Sequence, residues 1–369
     1  MTQQNPLGIK KIHHVEFFVG NAKQAEFYYR HAFGFSRVAY AGLETGNREM
    51  TSYALQQNRI TFVLSTPLNE DHFAAEHIRK HGDGVRDICF LVENADAAYS
   101  EAISRGAVSV CEPKDLKDEN GSVRYAAIAT YGDTIHSLIS YNTNNGHNYS
   151  GPFLPGFTEN RVEGDPTDLI LVDHIVGNVE LGKMTYWCDF YRDVMGFERY
   201  ITFDDSDIST EYSALMSIVM SDGEHNIKFP INEPAEGKAG KSQIQEYIDY
   251  YKTAGVQHVA LLCKDVLHTV QKLQDNGIEF LRVPDVYYEE LPSRVGEIDE
   301  DIEDLKRLGI LVDRDDEGYL LQIFTKPVED RPTVFYEILQ RKGCKGFGKG
   351  NFKALFVSIE EEQRRRGNL

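Results

Sequence analysis

The stretch that decides the fold is His14-Val15-Glu16-Phe17-Phe18-Val19, because the chain returns to its pattern at His174-Ile175-Val176-Gly177-Asn178-Val179. Each stretch is a short apolar segment that precedes a polar turn, an aromatic-rich helical segment and a Gly-Phe pair, at 34–35 and at 196–197. Glycine is favoured where a helix ends, because the left-handed conformation needed there is easiest without a Cβ atom. The sequence therefore predicts the same strand–helix unit in both halves of the chain.

A second pair of similar stretches follows, one in each half. Residues 84–92 (GVRDICFLV) and 255–262 (GVQHVALL) both begin with Gly-Val, and each precedes a helix-like run that ends near a glycine, Gly106 or Gly277. Each half therefore contains two strand–helix–strand modules, whose strands must bury one face. We predict an α+β protein with two domains, in which tandem βαβββ modules curl into half-open barrels.

The two halves are separated by residues 144–166. This segment is rich in glycine, proline and polar residues and shows no hydrophobic periodicity, which is typical of a linker. We therefore expect an N-terminal domain at 1–150 and a C-terminal domain at 165–369.

The composition excludes several classes of protein. The 369 residues include 39 Lys plus Arg and 58 Asp plus Glu, a net charge of −19, which disfavours nucleic acids and anionic membranes as partners. Twenty Phe and twenty Tyr supply a core and exclude a mostly disordered chain. No run approaches the roughly 18 apolar residues of a membrane span.

The cysteines and the N-terminus indicate the compartment. Five scattered cysteines form no CxxC pair, which fits free thiols in a reducing cytosol rather than a disulfide framework or a zinc site. The first residues lack a basic segment followed by an apolar one, the pattern of a secretory signal. We therefore expect a soluble cytoplasmic protein.

Three ligand-type residues occupy strand-like apolar runs of the second half. His174 shares a strand face with Val172 and Val176, and His258 and Glu337 lie in apolar runs further along. A carboxylate is costly to bury unless it is paired or bound to a metal. Two imidazoles and one carboxylate form the ligand set of non-heme Fe(II) oxygenases. By pattern alone, hydrogen-bonded core residues remain an alternative and the metal remains open.

At these residues the chain resembles the 4-hydroxyphenylpyruvate dioxygenase family of the vicinal-oxygen-chelate superfamily. The resemblance covers nearly the whole chain and is densest after residue 165. The motifs that carry it are VDHIVGNV (172–179), FPINEP (229–234), KSQIQEY (241–247), GVQHVAL (255–261), LLQIFTKP (320–327), PTVFYEI (332–338) and GFGKGNFKALF (346–356).

The resemblance implies the fold, the reaction and the metal. It implies a two-domain vicinal-oxygen-chelate fold whose C-terminal domain is catalytic and whose N-terminal domain is structural and metal-free. The implied enzyme is a non-heme Fe(II) dioxygenase of tyrosine and phenylalanine catabolism. It converts 4-hydroxyphenylpyruvate and O₂ to homogentisate and CO₂ by oxidative decarboxylation, ring hydroxylation and side-chain migration. His174, His258 and Glu337 are the implied ligands of one Fe(II) per subunit.

The same resemblance implies the residues of a substrate pocket. The expected catalytic residues are Ser217, Asn232, Gln243 and Gln322. The expected substrate contacts are Gln257, Phe324, Phe335, Asn351, Phe352 and Phe356. Strand alternation points Gln257 away from His258, whereas Gln322 and Phe324 share one face. Outside this context, such glutamines are more often solvated and such phenylalanines more often belong to a core.

The C-terminus has the pattern of a mobile lid. Residues 345–350 (KGFGKG) are a glycine-rich hinge, and residues 351–366 are predicted to form an amphipathic helix. Its apolar face would cover the pocket, and the glutamates 360–362 are expected to face water. The alternative is a docked helix that does not move.

The first half carries ligand-type residues at similar places. His14, Asp87 and His136 are predicted to be the counterparts of the three ligands and to be structural remnants. The remaining histidines outside these patterns are expected to be solvated; they are His72, His77, His81, His147, His225 and His268.

Two other functions remain alternatives. A 4-hydroxymandelate synthase would use the same iron site and substrate but hydroxylate the benzylic carbon, so product identification separates it. A non-catalytic ligand-binding protein of the superfamily would bind substrate without consuming oxygen. The expected partners are 4-hydroxyphenylpyruvate and O₂, and a homo-oligomer, dimer or tetramer, is also expected.

Overall fold

The computed structural model describes residues 5–141, 149–203, 215–235 and 242–368. The strands of its first half are β1 (Ile9–Phe18), β2 (Ser36–Ala41), β3 (Met50–Gln57), β4 (Ile60–Pro67), β5 (Gly84–Val92), β6 (Ser109–Asp118), β7 (Gly121–Ala129), β8 (Ile135–Ser140) and β9 (Thr158–Val162). Its helices are α1 (Ala22–Ala32), α2 (Phe73–His81) and α3 (Ala95–Ser104), with a 3₁₀ turn at Leu43–Thr45.

The second half repeats this arrangement and adds helices. Its strands are β10 (Leu169–Asn178), β11 (Glu198–Phe203), β12 (Leu215–Ser221), β13 (Lys228–Pro234), β14 (Gly255–Cys263), β15 (Leu311–Asp315), β16 (Gly318–Phe324) and β17 (Phe335–Lys342). Its helices are α4 (Met184–Asp193), α5 (Gln243–Tyr251), α6 (Val266–Asp275), α7 (Val286–Val295), α8 (Ile302–Leu308) and α9 (Phe352–Arg365), with a 3₁₀ turn at Lys349–Asn351.

The two sheets share one arrangement of eight strands, and the first sheet has β9 in addition at its edge. The first has the order β6-β7-β8-β5-β1-β4-β3-β2-β9, and the second has the order β11-β12-β13-β10-β14-β17-β16-β15. In both, two four-stranded modules join through an antiparallel pair, β1 with β5 and β10 with β14. This confirms the predicted α+β architecture of tandem modules with curled, half-barrel sheets.

The predicted helix ends are also confirmed. Gly34 follows α1 with φ +76°, and Gly196 follows α4 with φ +74°, so both adopt the left-handed conformation. A Cβ atom on Gly34 would also lie 2.2 Å from the carbonyl oxygen of Asp165. Both the left-handed backbone and this close approach therefore exclude a larger residue at position 34.

The halves pack against one another through buried side chains. The hydroxyls of Tyr29 and Tyr336 are 2.8 Å apart, and His136 Nε2 lies 2.9 Å from the hydroxyl of Tyr191. Side chains of both halves contribute to one continuous apolar core. Within the described residues, no helix is both long enough and apolar enough to cross a membrane.

Several local expectations were wrong. The expected linker contains β9, which pairs with β2 at the edge of the first sheet. Glu360 is buried rather than solvated, with 3 % of its surface exposed. His77 and His81 are also buried, because α2 packs between the halves, and His81 bonds to Asp133 and to the backbone of Tyr251. His147 lies outside the described residues.

Candidate metal centre

Three adjacent strands of the second sheet bring His174, His258 and Glu337 together. Strands β10, β14 and β17 are neighbours, and Ala260 of β14 lies opposite both His174 and Glu337. The Nε2 atoms of His174 and His258 lie 3.0 and 3.5 Å from Oε2 of Glu337. The three residues are 4–8 % exposed, so they form a compact and buried cluster.

A β-bulge precedes each histidine of the cluster. Asp173 is an extra residue on β10 between the pairs Val172–Leu261 and His174–Ala260, and Gln257 is an extra residue on β14. A bulge re-aims side chains that would otherwise alternate between faces. Asp173 Oδ2 thereby lies 2.8 Å from Nδ1 of His174, and Gln257 Oε1 lies 3.1 Å from Nδ1 of His258.

These bonds determine how the imidazoles are presented. Because Asp173 and Gln257 accept hydrogen bonds at Nδ1, the Nε2 atoms of both histidines are left as electron-pair donors. His258 is also stacked on Phe335, with ring centroids 4.7 Å apart, and His174 meets Phe347 edge to face at 5.0 Å. Packing and hydrogen bonds therefore hold both rings in place.

The charges of the cluster are strongly coupled. Burial raises the pKa of Glu337, but His174 and His258 outweigh it and bring that pKa to about 2. Burial lowers the pKa of His174, yet the carboxylates of Glu337 and Asp173 raise it above the ordinary value. The pKa of His258 is lowered by burial, which Glu337 offsets only in part. Glu337 is therefore ionised, and its buried negative charge attracts a cation to the site.

Arg341 connects the cluster to the C-terminal hinge. Its guanidinium donates two hydrogen bonds of 2.8 Å to Asp173 and one of 2.6 Å to the carbonyl of Gly346. It also lies 5.5 Å from the ring centroid of Phe347. The pKa of Asp173 would be raised by burial, but Arg341 and His174 hold it well below its usual value.

The donor set fits a divalent metal ion. One ligand atom from each of His174, His258 and Glu337 lies within 4.8 Å of the others. Two imidazoles and one carboxylate on one side of an ion leave the opposite side for substrate oxygens, and both histidines have the outer hydrogen-bond partners typical of metal ligands.

A cavity of about 80 Å³ lies between this cluster and α9. Most of the residues expected from the sequence line it; they are Ser217, Asn232, Gln243, Gln257, Phe324, Phe335, Phe352 and Phe356. Ser217 and Asn232 face each other on β12 and β13, and Gln243 begins α5. The expectation that Gln257 points away from His258 was wrong, because the bulge turns it toward the same side.

Two expected pocket residues do not line the cavity. Asn351 is fully buried, and its Oδ1 accepts hydrogen bonds from Tyr287 at 2.7 Å and Arg294 at 3.3 Å, so it anchors the start of α9. Gln322 lies beneath Gly348, where a Cβ atom would come within 2.5 Å of its amide nitrogen. Among the described residues, neither amide atom of Gln322 has a hydrogen-bond partner.

The sequence did not single out several residues of the site. Asp173 and Arg341 were missed, since regular alternation would place Asp173 on the opposite face from His174. Additional apolar residues complete the cavity; they are Val176, Phe203, Val219, Pro230 and Phe347. Leu355 and Ile359 also line it, and both lie on the apolar helix face that the sequence predicted. Val176 could have been found, because it shares the strand face of His174.

The counterpart of Glu337 in the first half was also wrongly assigned. In the second half His258 pairs with Phe335, and Glu337 follows Phe335 by two residues. In the first half Asp87 pairs with Ile135, so the residue two positions later, Ser137 and not His136, occupies the position of Glu337. His136 faces the other way and bonds to Tyr191. The first half therefore lacks the carboxylate of the triad.

Known proteins resemble this chain over nearly its whole length. Residues 3–150 match the family described as hydroxyphenylpyruvate dioxygenase, N-terminal, and residues 171–323 match the glyoxalase/bleomycin resistance protein/dioxygenase superfamily. The chain is 49 % identical to a 4-hydroxyphenylpyruvate dioxygenase of Xenopus tropicalis, over 97 % of this chain and 92 % of that one. It is 46 % identical to one of Yarrowia lipolytica, over 96 % and 93 %.

A solved structure shares the complete architecture. A triple mutant of 4-hydroxymandelate synthase from Streptomyces coelicolor superposes with a TM-score of 0.86 at 28 % identity, covering 96 % of this chain and 99 % of that one.

Proposed function

The chain belongs to the 4-hydroxyphenylpyruvate dioxygenase family, and from this membership we propose that His174, His258 and Glu337 hold one Fe(II) ion per subunit. The activity is that of the family, conversion of 4-hydroxyphenylpyruvate and O₂ to homogentisate and CO₂. The observation that carries the metal assignment is the approach of both Nε2 atoms to one oxygen of Glu337, at 3.0 and 3.5 Å. When bound, Fe(II) supplies the redox chemistry and binds the keto acid.

The protein's own part is to bind and orient the aromatic ring. We propose that Phe335 and Phe324, which pack on His258, and Phe352 and Phe356 of α9 enclose the ring. Rings packed at an edge or a face fix both the distance and the tilt of an aromatic substrate. This directs the ring carbon that carries the side chain toward the metal side of the cavity.

Polar side chains of the cavity supply the remaining contacts. Gln257 uses its amide oxygen for His258, so its amide nitrogen is available as a donor to substrate. Ser217, Asn232 and Gln243 are each less than 10 % exposed and line the same space. We propose that these groups hydrogen-bond the substrate oxygens. We also propose that Gln322, which lies outside the closed cavity against Gly348 and has no amide partner among the described residues, joins them when the hinge moves.

We propose that α9 is a lid that opens to admit substrate. A cavity of about 80 Å³ is small beside the roughly 300–1,000 Å³ of typical ligand sites, and four residues of α9 line one side of it: Phe352, Leu355, Phe356 and Ile359. The hinge is held at its start by Asp315, which accepts hydrogen bonds of 2.9 Å from the amides of Lys345 and Gly346. Closure excludes water during oxidation.

Further proposals concern the roles of the two domains, the cellular location and the oligomeric state. We propose a structural N-terminal domain at 1–150 and a catalytic C-terminal domain at 165–369, supported by the serine at the position of Glu337 in the first half. A cytoplasmic location is supported by five free cysteines. A homo-oligomer is supported by exposed aromatic side chains such as Phe27, Phe73 and Tyr186, and light scattering tests it.

The test is anaerobic reconstitution with Fe(II), followed by addition of 4-hydroxyphenylpyruvate and O₂ and identification of the product. Homogentisate with one equivalent of CO₂ supports the proposal, and Glu337→Gln should bind Fe(II) weakly and turn over slowly. Hydroxymandelate as the product would instead favour the synthase chemistry of the structural relative. Unchanged turnover in Glu337→Gln would remove this residue from the metal.

A further inference from the structure

We propose that His13, His14 and Cys89 form a second metal site, for Zn²⁺, inside the first half of the chain. The proposal revises the expectation that this half is free of metal. It concerns residues other than the catalytic cluster, and it holds whether or not the catalytic metal is iron.

The fold brings these three side chains to one point. His14 on β1 lies opposite Cys89 on β5, and His13 is an extra residue in β1 at a register shift between Ile12 and His14. One ligand atom from each of the three lies within 4.8 Å of the other two. His14 is 6 % exposed and Cys89 is fully buried, whereas His13 is partly exposed.

The site repeats the local geometry of the catalytic centre with different donors. The bulge at His13 corresponds to the bulge at Asp173, and His14 corresponds to His174. Cys89 occupies the position of Ala260, which faces His174 and has no ligand atom. The first half therefore has no carboxylate at the position of Glu337 and carries a thiol and an extra imidazole at the same corner of its sheet.

The imidazoles are oriented for metal binding. His13 Nε2 lies 2.6 Å from the hydroxyl of Tyr141, and its Nδ1 lies 2.8 Å from Nδ1 of His14. Tyr141 engages Nε2 of His13, so Nδ1 is the nitrogen left for a metal, which would replace the Nδ1–Nδ1 contact with His14. An outer partner such as Tyr141 is typical of histidine ligands. Phe153 packs against both rings, at 5.6 and 5.2 Å between centroids, and limits their rotation.

Cys89 would bind the ion as a thiolate, and its thiol would release the proton to solvent on binding.

The donor chemistry selects the metal. Two imidazole nitrogens and one thiolate are ligands of Zn²⁺, whereas Mg²⁺ and Ca²⁺ require oxygen ligands. A fourth position remains for water. An ion can reach the site because His13 and His14 line a cavity of about 690 Å³ between the two halves.

The experiment is a Co²⁺ titration of the full-length, metal-stripped protein. Cobalt replaces zinc in such sites, and a thiolate ligand gives it an intense near-ultraviolet charge-transfer band. The catalytic cluster contains no sulfur, so this band reports on the second site alone. We expect the band to appear with Co²⁺ and to disappear when Zn²⁺ is added in excess.

Matched variants assign the band. Cys89→Ser should abolish it and His13→Asn should weaken Zn²⁺ binding strongly, while Tyr141→Phe should weaken it roughly ten-fold. Cys111→Ser, which alters a half-buried cysteine outside the cluster, and Glu337→Gln, which alters the catalytic cluster, should both retain the band. His13 is partly exposed, so its variant is informative even if Cys89→Ser fails to fold.

The proposal is wrong if the wild-type protein shows no thiolate–cobalt band, or if the band persists in His13→Asn with unchanged Zn²⁺ affinity. A band that is lost in Cys111→Ser would assign the thiolate to a different cysteine and would also overturn it.

Discussion

Asp173 bonds to the imidazole of His174, its immediate neighbour in the chain, although consecutive residues of a regular strand point to opposite faces. The bulge in β10 makes the contact possible, and Arg341 holds the carboxylate from the other side. The same device joins Gln257 to His258. Both candidate ligands therefore depend on an irregularity of the sheet that aims them at Glu337.

Replacing the outer carboxylate should weaken metal binding without removing a ligand. In Asp173→Asn we expect the affinity for Fe(II) or Co²⁺ to fall about 10–100-fold, because His174 loses a charged acceptor at Nδ1. Metal titration followed by activity measures this, and excess metal should restore much of the turnover. Asp96→Asn is the matched control, since Asp96 also forms a two-point contact with an arginine, Arg124, on the first half. Equal affinity in both variants would contradict the assignment.

Releasing the end of α9 should expose the cavity. Arg366 reaches across to α5 and contacts Glu246 at 2.9 Å, and Glu246 is only 3 % exposed. In Arg366→Ala we expect the amides of α9 to exchange hydrogen about ten-fold faster, equivalent to about 1.4 kcal/mol, with a lower kcat/KM. Arg365→Ala is the control, because among the described residues Arg365 forms ion pairs only with Glu361 and Glu362 of its own helix. Hydrogen exchange by mass spectrometry distinguishes the two, and equal protection would argue against this contact as a latch.

Gln322 should show opposite effects on stability and activity. Its buried amide has no partner among the described residues, so Gln322→Met should raise the free energy of unfolding by about 1–2 kcal/mol. Turnover should fall, because the amide is proposed to act on substrate. Gln340→Met is the control on the adjacent strand; Gln340 accepts a 3.0 Å bond from the amide of Val266, so stability should decrease there. Denaturant unfolding and steady-state rates test both effects, and a less stable Gln322→Met would contradict the first.

His77 should make the fold sensitive to acid. Burial lowers its pKa to about 3, and neither ring nitrogen has a hydrogen-bond partner among the described residues. Between pH 6.5 and 3 the unfolded chain binds a proton that the folded chain does not, so this residue removes stability as the pH falls, by at most about 1.4 kcal/mol per pH unit. In His77→Phe the pH dependence of the melting temperature should be shallower over this interval. His268→Gln, at an exposed histidine, should leave the slope unchanged.

Much of the fold was readable because it depends on repetition. The apolar stretches at 14–19 and 174–179, with the glycines at 34 and 196, recur in both halves, and each repeat became a strand and a helix in the expected order. The strand β9 was not readable, because four of its five residues are polar and it pairs only at a sheet edge.

The sequence predicted the three candidate metal ligands but not the residues that hydrogen-bond to them. His174, His258 and Glu337 stand out in the sequence because polar groups are costly inside apolar strands, and the tertiary structure brings them within 4.8 Å. The roles of Asp173 and Gln257 required the bulges, because a single extra residue reverses which face a side chain occupies. The hydrogen bonds that Tyr287 and Arg294 donate to Asn351 were not predicted, because nothing local in the sequence reveals them.

The sequence by itself determined the duplicated modules, the free cysteines and the three candidate ligands, since these follow from local hydrophobic pattern and residue type. Only the tertiary structure decided which strands are adjacent, where the ladders bulge and which residue of β8 corresponds to Glu337. The physical reason is that these features depend on hydrogen-bond register between strands far apart in the chain. A shift of one residue in that register changes every side-chain contact while leaving the pattern of each strand unaltered.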